Sequence, residues 1–173
     1  GELHERPELA KLAEHFVRVG RVRLTHINLN WDWVIDDAFN RYLDLEGENR
    51  LPSVHLHGTA EAADTLYLPT EVLHEPHRDD AVEQELGALH KAMMHGLAVS
   101  DVVIFYGVSL SALDAELLQL TSAALDRAGE RTIHLIDPKH REIASRLELL
   151  VSPARAQIKT YPPSWIEQAH IFD

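Results

Sequence analysis

Cysteine is absent from this sequence of 173 residues. The absence excludes disulfides, a thiolate nucleophile and any cysteine-based zinc site, so the chemistry must come from oxygen and nitrogen groups. Long apolar runs are missing as well, since a stretch such as Val102 to Tyr106 is far shorter than the roughly 20 residues of a membrane helix. The first residues lack the basic leader and apolar core of an export signal. We therefore expect a cytoplasmic protein with no membrane partner.

Positive charge is also scarce, because 16 Lys and Arg stand against 28 Asp and Glu, for a formal net charge of −12. The phosphate backbone of a nucleic acid would be repelled by such a chain, so no nucleic-acid binding is expected. The 12 histidines are many for this length. His titrates nearest physiological pH, but we interpret most of these residues as surface positions.

Strand patterns alternate with helix patterns over most of the chain, which predicts an α/β fold with a Rossmann-like, doubly wound and largely parallel sheet. The length and the 45% hydrophobic content predict one domain, 1–173, around a single core. Apolar spacing predicts helices over Glu8–Val19, over 34–42, from Asp79 or Asp80 through Leu97, from Ser111 to about Ala128, and from Asp137 to about Leu149. Strands are predicted at Val22–Asn28, Ser53–Leu56, Thr65–Pro69, Asp101–Tyr106, Thr132–Ile136 and Gln157–Tyr161.

Some of these elements carry sharper signals. The continuous apolar run of Asp101–Tyr106 is typical of a strand covered on both faces, so it should be central in the sheet. Ser111 and Asp114 have the spacing of a capping box at a helix start. Asp137, followed by Pro138, is an N-cap pattern for the next helix.

Three strand-to-loop junctions carry polar residues: 28–32, 55–59 and 107–110. Each is ordinary by itself, because Asn and Asp are common turn and cap residues and His-Gly occurs at many turns. The structural alternative is that Asn30 or Asp32 caps the next helix, that His57 is a strand-end histidine, and that Ser109 supports a turn.

Taken in order, the three junctions resemble the sirtuin-like family, in which one strand ends in Thr-x-Asn-x-Asp, a later one in His-Gly and a third in Gly-x-Ser. The resemblance spans roughly residues 22–149 and is closest to the broad bacterial group of sirtuin-like NAD-cleaving enzymes. The matching positions are Asn30 and Asp32, His57 and Gly58, Gly107 and Ser109, with Asp137 where the family places a polar residue facing the adenosine end of NAD.

The resemblance implies that NAD is a substrate and that the nicotinamide–ribose bond is cleaved. His57 would be the general base that activates a ribose hydroxyl. Asn30 would orient the ribose or an attacking water, and Asp32 would hold the nicotinamide carboxamide. The cofactor-binding surface would be formed by Gly58, Gly107, Ser109 and Asp137, with Ser109 and the backbone N–H groups of the following helix contacting ribose or phosphate.

Two departures from the family pattern shape this hypothesis. The early Gly-Ala-Gly loop is absent, and no Gly-x-Gly occurs anywhere, which should weaken dinucleotide binding. The simplest explanation is a later part of a longer protein, or loss of the first strand, and activity is then expected of the longer form. A sheet edge exposed in this way would favour a homo-oligomer or a partner chain that completes the sheet. The four-Cys zinc module is also absent, which favours NAD hydrolysis over lysine deacetylation and leaves defence by NAD depletion, signalling and deacylation open as roles.

Two alternatives stay open. A non-catalytic module that binds a nucleotide or a protein is favoured by the missing glycine loop. A metal-dependent hydrolase is suggested by His55-x-His57, which places two imidazoles on one side of a strand, with His74 and His77 as a second pair. The nearby carboxylates follow no recognised ligand spacing, so no metal site is predicted: Glu71, Glu75, Asp79 and Asp80.

Overall fold

The computed structural model describes residues 7–19, 24–66, 80–111, 114–127 and 129–164. In these residues helices alternate with parallel strands, so the predicted α/β class is confirmed. The elements are α1 (Pro7–Val19), β1 (His26–Asn28), α2 (Val34–Tyr42), β2 (Ser53–His55), α3 (Asp80–Val99), β3 (Val102–Tyr106), α4 (Ala115–Asp126), β4 (Arg131–Ile136), α5 (His140–Leu150) and β5 (Ala156–Tyr161), with short 3-10 turns at Gly47–Asn49 and Ala63–Thr65.

The strands form two parallel sheets, one of two strands and one of three. β1 pairs with β2, so that Asn28 lies beside His55. In the second sheet β4 lies between β3 and β5. The prediction that 101–106 is a central strand is therefore wrong for the described chain: β3 forms a ladder only with β4 there, and Val102 at its start is 51% exposed.

Helices cover both faces of the three-stranded sheet, because successive side chains of a strand point to opposite faces. One face carries Val103, Phe105 and Ile133 and packs against apolar side chains of α3, α4 and α5. The opposite face, with Ile136 and Tyr161, packs against α1 and α2. This arrangement is the doubly wound, Rossmann-like one.

The C-terminal end of α3 contacts the start of one strand from each sheet. A side chain at Gly96 would place its Cβ 2.9 Å from Cγ2 of Thr25, just before β1. The guanidinium of Arg131, at the start of β4, donates to the carbonyl oxygen of Leu97. The amino ends of β1 and β4 thus meet the same end of one helix. Of the helices in the described ranges, none combines the length and apolar character that crossing a bilayer requires.

Helix starts differ most from the sequence predictions. α4 begins after Asp114, whose side chain accepts the N–H of Leu117, rather than at Ser111. α5 begins at His140, because Asp137 instead forms a turn in which its carboxylate accepts the N–H of Lys139. The strand predicted over 65–69 begins with the end of a 3-10 turn at Thr65, and 67–69 lie outside the described residues.

Candidate functional site

The loop after β1 carries two predicted catalytic residues, Asn30 and Asp32, and both are exposed. Its shape is set by the buried Asn28 at the end of β1. The amide oxygen of Asn28 accepts the N–H of Asn30 at 2.9 Å, and its amide nitrogen donates to the carbonyl of Asp32 at 3.2 Å. The Asp32 carboxylate accepts the N–H of Val34 at 3.0 Å. Asp32 therefore forms a turn just before α2 rather than the cap that the sequence left open, since the N-cap position is Trp33 and has no side-chain cap bond.

An open cleft of about 470 Å³ lies beside this loop, lined by Leu29, Asn30, Trp31, Asp32 and Ala60. Ala60, from the loop after β2, donates its N–H to the carbonyl of Trp31 at 2.8 Å, which ties the two walls together. Trp31 itself is 40% exposed. An exposed indole beside a carboxylate suits a flat heterocycle that carries hydrogen-bond donors.

His57, the predicted base, lies in the turn after β2 and is only 3% exposed. Its Nε2 lies 3.4 Å from Oδ2 of Asp114, and the other carboxylate oxygen, Oδ1, accepts the N–H of Leu117 at 3.0 Å. An imidazole held by a carboxylate is an arrangement found where histidine acts as a base. His57 does not line the cleft at Trp31, so the base and the cleft are separate in this conformation.

Sequence reasoning identified Asp114 only as part of a helix start. Its spacing from Ser111 led to its interpretation as a residue inside the first turn. The structure makes it the cap, and this position lets one carboxylate serve both the helix and His57. The pair joins the loop after β2 to the loop after β3.

Gly58 has a structural reason to be glycine. Its φ of +76° lies in the left-handed region, and a Cβ there would be 2.2 Å from the carbonyl oxygen of Thr65. The side-chain oxygen of Thr65 accepts the N–H of Thr59 at 3.3 Å, so the chain folds back over Gly58. This crossing requires glycine whether or not a ligand binds.

The loop after β3 contains Gly107 and Ser109. Gly107 has a φ of +63°, open space beside its Cα, and an N–H that donates to the carbonyl of Ile136 at 3.0 Å. Ser109 is exposed, and its carbonyl accepts from Arg146 of α5 at 2.9 Å. Because α4 begins only at Ala115, Ser109 does not adjoin the helix N-terminus as predicted. Arg146 of α5 thus holds the loop through the carbonyl of Ser109, and the backbone at Gly107 stays accessible.

Asp137 lies at the carboxyl end of β4. Its N–H donates to the carbonyl of Tyr161 at 3.1 Å, and its carboxylate accepts the N–H of Lys139 at 2.6 Å. Its carbonyl accepts the N–H of His140 at 3.0 Å. These bonds explain Asp137 as a turn residue at the edge where the other predicted site residues lie.

A buried polar cluster beneath the β1–α2 loop escaped the sequence analysis. Asp36, in the first turn of α2, is 1% exposed, and its carboxylate accepts from the amide of Asn28 at 2.6 Å. Nδ1 of His26 and Nε2 of His55 each lie 3.4 Å from an oxygen of that carboxylate. Burial lowers the pKa of His26, while Asp36 opposes this shift and His55 adds to it. The sequence signal that could have indicated a buried Asp36 was its place between the apolar helix positions Ile35 and Phe39.

His55 connects this cluster to the cleft. Its Nδ1 lies 3.0 Å from the carbonyl oxygen of Asn30, and this nitrogen carries the proton because a carbonyl can only accept. The indole of Trp33 packs on the imidazole with ring centroids 4.2 Å apart. The exposed loop therefore stands on the buried polar side chains of Asn28, Asp36 and His55.

The two histidines of His55-x-His57 face different carboxylates, Asp36 and Asp114. Within the described ranges no group of three His, Asp or Glu side chains is arranged to hold a metal ion. His74 and His77 lie outside the described residues. The metal hypothesis gains no support from these contacts.

Comparison with known proteins adds no relative, since no family model, curated protein or solved structure matches this chain. The likeness to sirtuin-like proteins therefore stays a prediction from the motif residues of the sequence.

Proposed function

We propose that this domain binds NAD at the carboxyl ends of its parallel strands and hydrolyses the nicotinamide–ribose bond. The cleft at Trp31 would take the nicotinamide ring, with Asp32 accepting from the carboxamide. Asn30 would face the ribose, and the open backbone at Gly107 would lie toward the phosphates, with Ser109 beside them. Asp137 lies further along the same edge, on the side where the adenosine would extend.

One observation carries this proposal: the first motif junction contacts the second, and the second contacts Asp114, four residues after the third. Asn30 is bonded through its carbonyl to His55 of β2, two residues before His57. His57 in turn faces Asp114, in the segment after Gly107 and Ser109. Residues far apart in sequence thus form one continuous edge, as expected where open parallel sheets bind ligands.

The proposed reaction balances with NAD and water as the only reactants. The bond between ribose C1′ and the nicotinamide nitrogen breaks, and its electron pair leaves with neutral nicotinamide. His57 would accept the proton of the ribose hydroxyl that it activates, the oxygen of a water molecule would bond to C1′, and a proton from that water would restore the hydroxyl. The carboxylate of Asp114 would stabilise the resulting imidazolium.

A second candidate is a nucleotide-binding module without turnover. The specific observation in its favour is the burial of His57, whose imidazole faces Asp114 and does not reach the Trp31 cleft. A base enclosed in this way cannot touch a ribose unless the surrounding loops move.

The test is to measure NAD binding by calorimetry and nicotinamide release by chromatography, on this chain and on the longest available form of the protein. The variants are His57→Ala, Asn30→Ala and Asp114→Asn, which keeps a capping side chain. His95→Ala, at an exposed position of α3, is the matched control. We expect His57→Ala to lower turnover at least about 100-fold with binding retained, and Asp114→Asn to lower it about tenfold.

Turnover lost in His57→Ala and Asn30→Ala but kept in His95→Ala establishes the hydrolase. NAD binding without nicotinamide release, in both forms of the protein, establishes the second candidate. No binding by either form would falsify both.

A further inference from the structure

We propose that Asp36 is a positioning residue for the cleft: through Asn28 and His55, its buried carboxylate sets the backbone of the loop that presents Asn30 and Asp32. The identity of the ligand rests on the proposed function. The positioning role rests on the hydrogen bonds of the loop alone.

The first step concerns the orientation of the Asn28 amide. A carboxylate only accepts, so it selects the amide nitrogen of Asn28, which lies 2.6 Å from Oδ2 of Asp36. The amide oxygen must then point the other way, to the N–H of Asn30. A reversed amide would set two acceptors together at Asp36 and two donors together at Asn30. Asp36 therefore decides which backbone groups Asn28 can hold.

The second step concerns His55. Its Nε2 lies beside the Asp36 carboxylate while its Nδ1 donates to the carbonyl of Asn30. Both backbone groups of Asn30 are thus bonded to side chains that touch Asp36. The carbonyl of Asp32 is bonded by Asn28 as well. Two backbone groups of the loop, the N–H of Asn30 and the carbonyl of Asp32, thus depend through Asn28 on one buried carboxylate, which also contacts His55.

A purely structural role for the Asp36 side chain is separable from this one. The packing of α2 on the segment before β2 is held by Asn40, which donates to the main-chain carbonyl of Asp36 at 2.9 Å and accepts the N–H of Leu51 at 2.7 Å. Neither bond uses the carboxylate. Replacing the side chain at position 36 leaves this connection in place, so the loop and the helix can be examined separately.

The experiment is hydrogen–deuterium exchange on the full chain, resolved to the amides of Asn30 and Val34, together with NAD affinity by calorimetry. Asp36→Ala removes the acceptor, and Asp36→Asn retains an oxygen for Asn28. Asp37→Ala is the matched control, since Asp37 is the next residue of α2 and pairs with Arg50 at the surface.

In Asp36→Ala we expect exchange at Asn30 to accelerate about tenfold and NAD affinity to fall at least about tenfold. Asp36→Asn should stay within about twofold of wild type, and Asp37→Ala should match wild type. A role of the negative charge itself would not give this rescue, because both substitutions remove the buried charge.

Unchanged exchange at Asn30 in Asp36→Ala overturns the proposal. So does a rise spread evenly over α2, β1 and β2, and so does a loosened loop with unchanged NAD affinity. Should Asp36→Ala fail to fold, Asn28→Ala decides: local acceleration at Asn30 supports the role, and none overturns it. A wild-type chain that binds no NAD contradicts the proposed function only, since the exchange result still decides the role of Asp36.

Discussion

The two sheets are held together by different kinds of interaction. Around β1 and β2, each three residues long, the buried groups include many polar ones: Asn28, Asp36, Asn40, His55 and His57. Around β3, β4 and β5 the buried groups are mostly aliphatic, with Ile133 and Leu135 fully enclosed. Each such aliphatic side chain stabilises the fold by roughly 1.5–3 kcal/mol.

One part of the molecule mainly stabilises the fold, and the other mainly orients polar groups. Apolar burial is non-directional, so it stabilises the three-stranded part without fixing the direction of any polar group. Hydrogen bonds are directional, and in the two-stranded part they fix the loop that carries Asn30 and Asp32. The proposed chemistry lies where geometry is specified, and the other sheet acts as its scaffold.

The largest expected effect compares the two glycines with positive φ. Gly58→Ala should lower the free energy of unfolding by about 4 kcal/mol, because the left-handed conformation is strained and the added Cβ meets the backbone of Thr65. Gly107→Ala meets open space and should cost only about 1 kcal/mol. Urea denaturation of both variants measures the difference. Equal losses would show that the fold-back over Gly58 is not rigid.

A smaller effect concerns acid. Burial lowers the pKa of His134 to about 4 from an ordinary 6.5, with Lys159 and His15 adding to the shift. The unfolded chain binds this proton first, so stability is complete above pH 6.5 and falls progressively toward pH 4, by about 3 kcal/mol. His134→Phe, which keeps a ring beside Tyr161, should remove that loss from the pH profile of unfolding.

The lowered pKa of His26 acts in the same direction in the two-stranded part. His26→Phe should therefore also flatten the profile below pH 6.5. A wild-type profile that neither substitution changes would contradict the assignment of the acid sensitivity to these buried imidazoles.

The smallest effect compares two aspartates that hold backbone N–H groups. Asp114→Ala should cost about 2 kcal/mol, since it removes both the α4 cap and the contact with His57. Asp137→Ala loses one turn bond and should cost about 1 kcal/mol. Asp114→Asn should lie nearer wild type in stability while it still lowers turnover. An Asp114→Ala loss no greater than that of Asp137→Ala would show that the His57 contact contributes nothing to stability.

Much of the fold could be predicted because apolar periodicity is local information. Spacing alone predicted the helix over 34–42 and a strand over 101–106, which the structure has at Val34–Tyr42 and Val102–Tyr106. The central position of β3 could not be predicted this way, since the run Val102 to Tyr106 describes the character of the side chains and not which strands lie alongside. Ladder partners are a long-range property of the chain.

Of the candidate site, the sequence predicted the residues at strand ends but not the carboxylates that contact them. Asn30 and His57 stand at strand ends, where position in the sequence indicates position in the fold. Asp36 and Asp114 act through contacts with residues distant in sequence, and each also has an ordinary local interpretation at a helix start. A single sequence offers no means of choosing between the local role and the distant one.

The fluorescence of Trp33 offers a way to follow the buried polar cluster around Asp36. The ring centroids of its indole and of the His55 imidazole lie 4.2 Å apart, so a rearrangement of the cluster changes the surroundings of the indole. With Trp31 and Trp165 replaced by Phe, the remaining emission follows the packing of this indole on His55 without any attached label. Trp33, which packs on His55, thus also reports by its fluorescence whether the buried cluster keeps its arrangement.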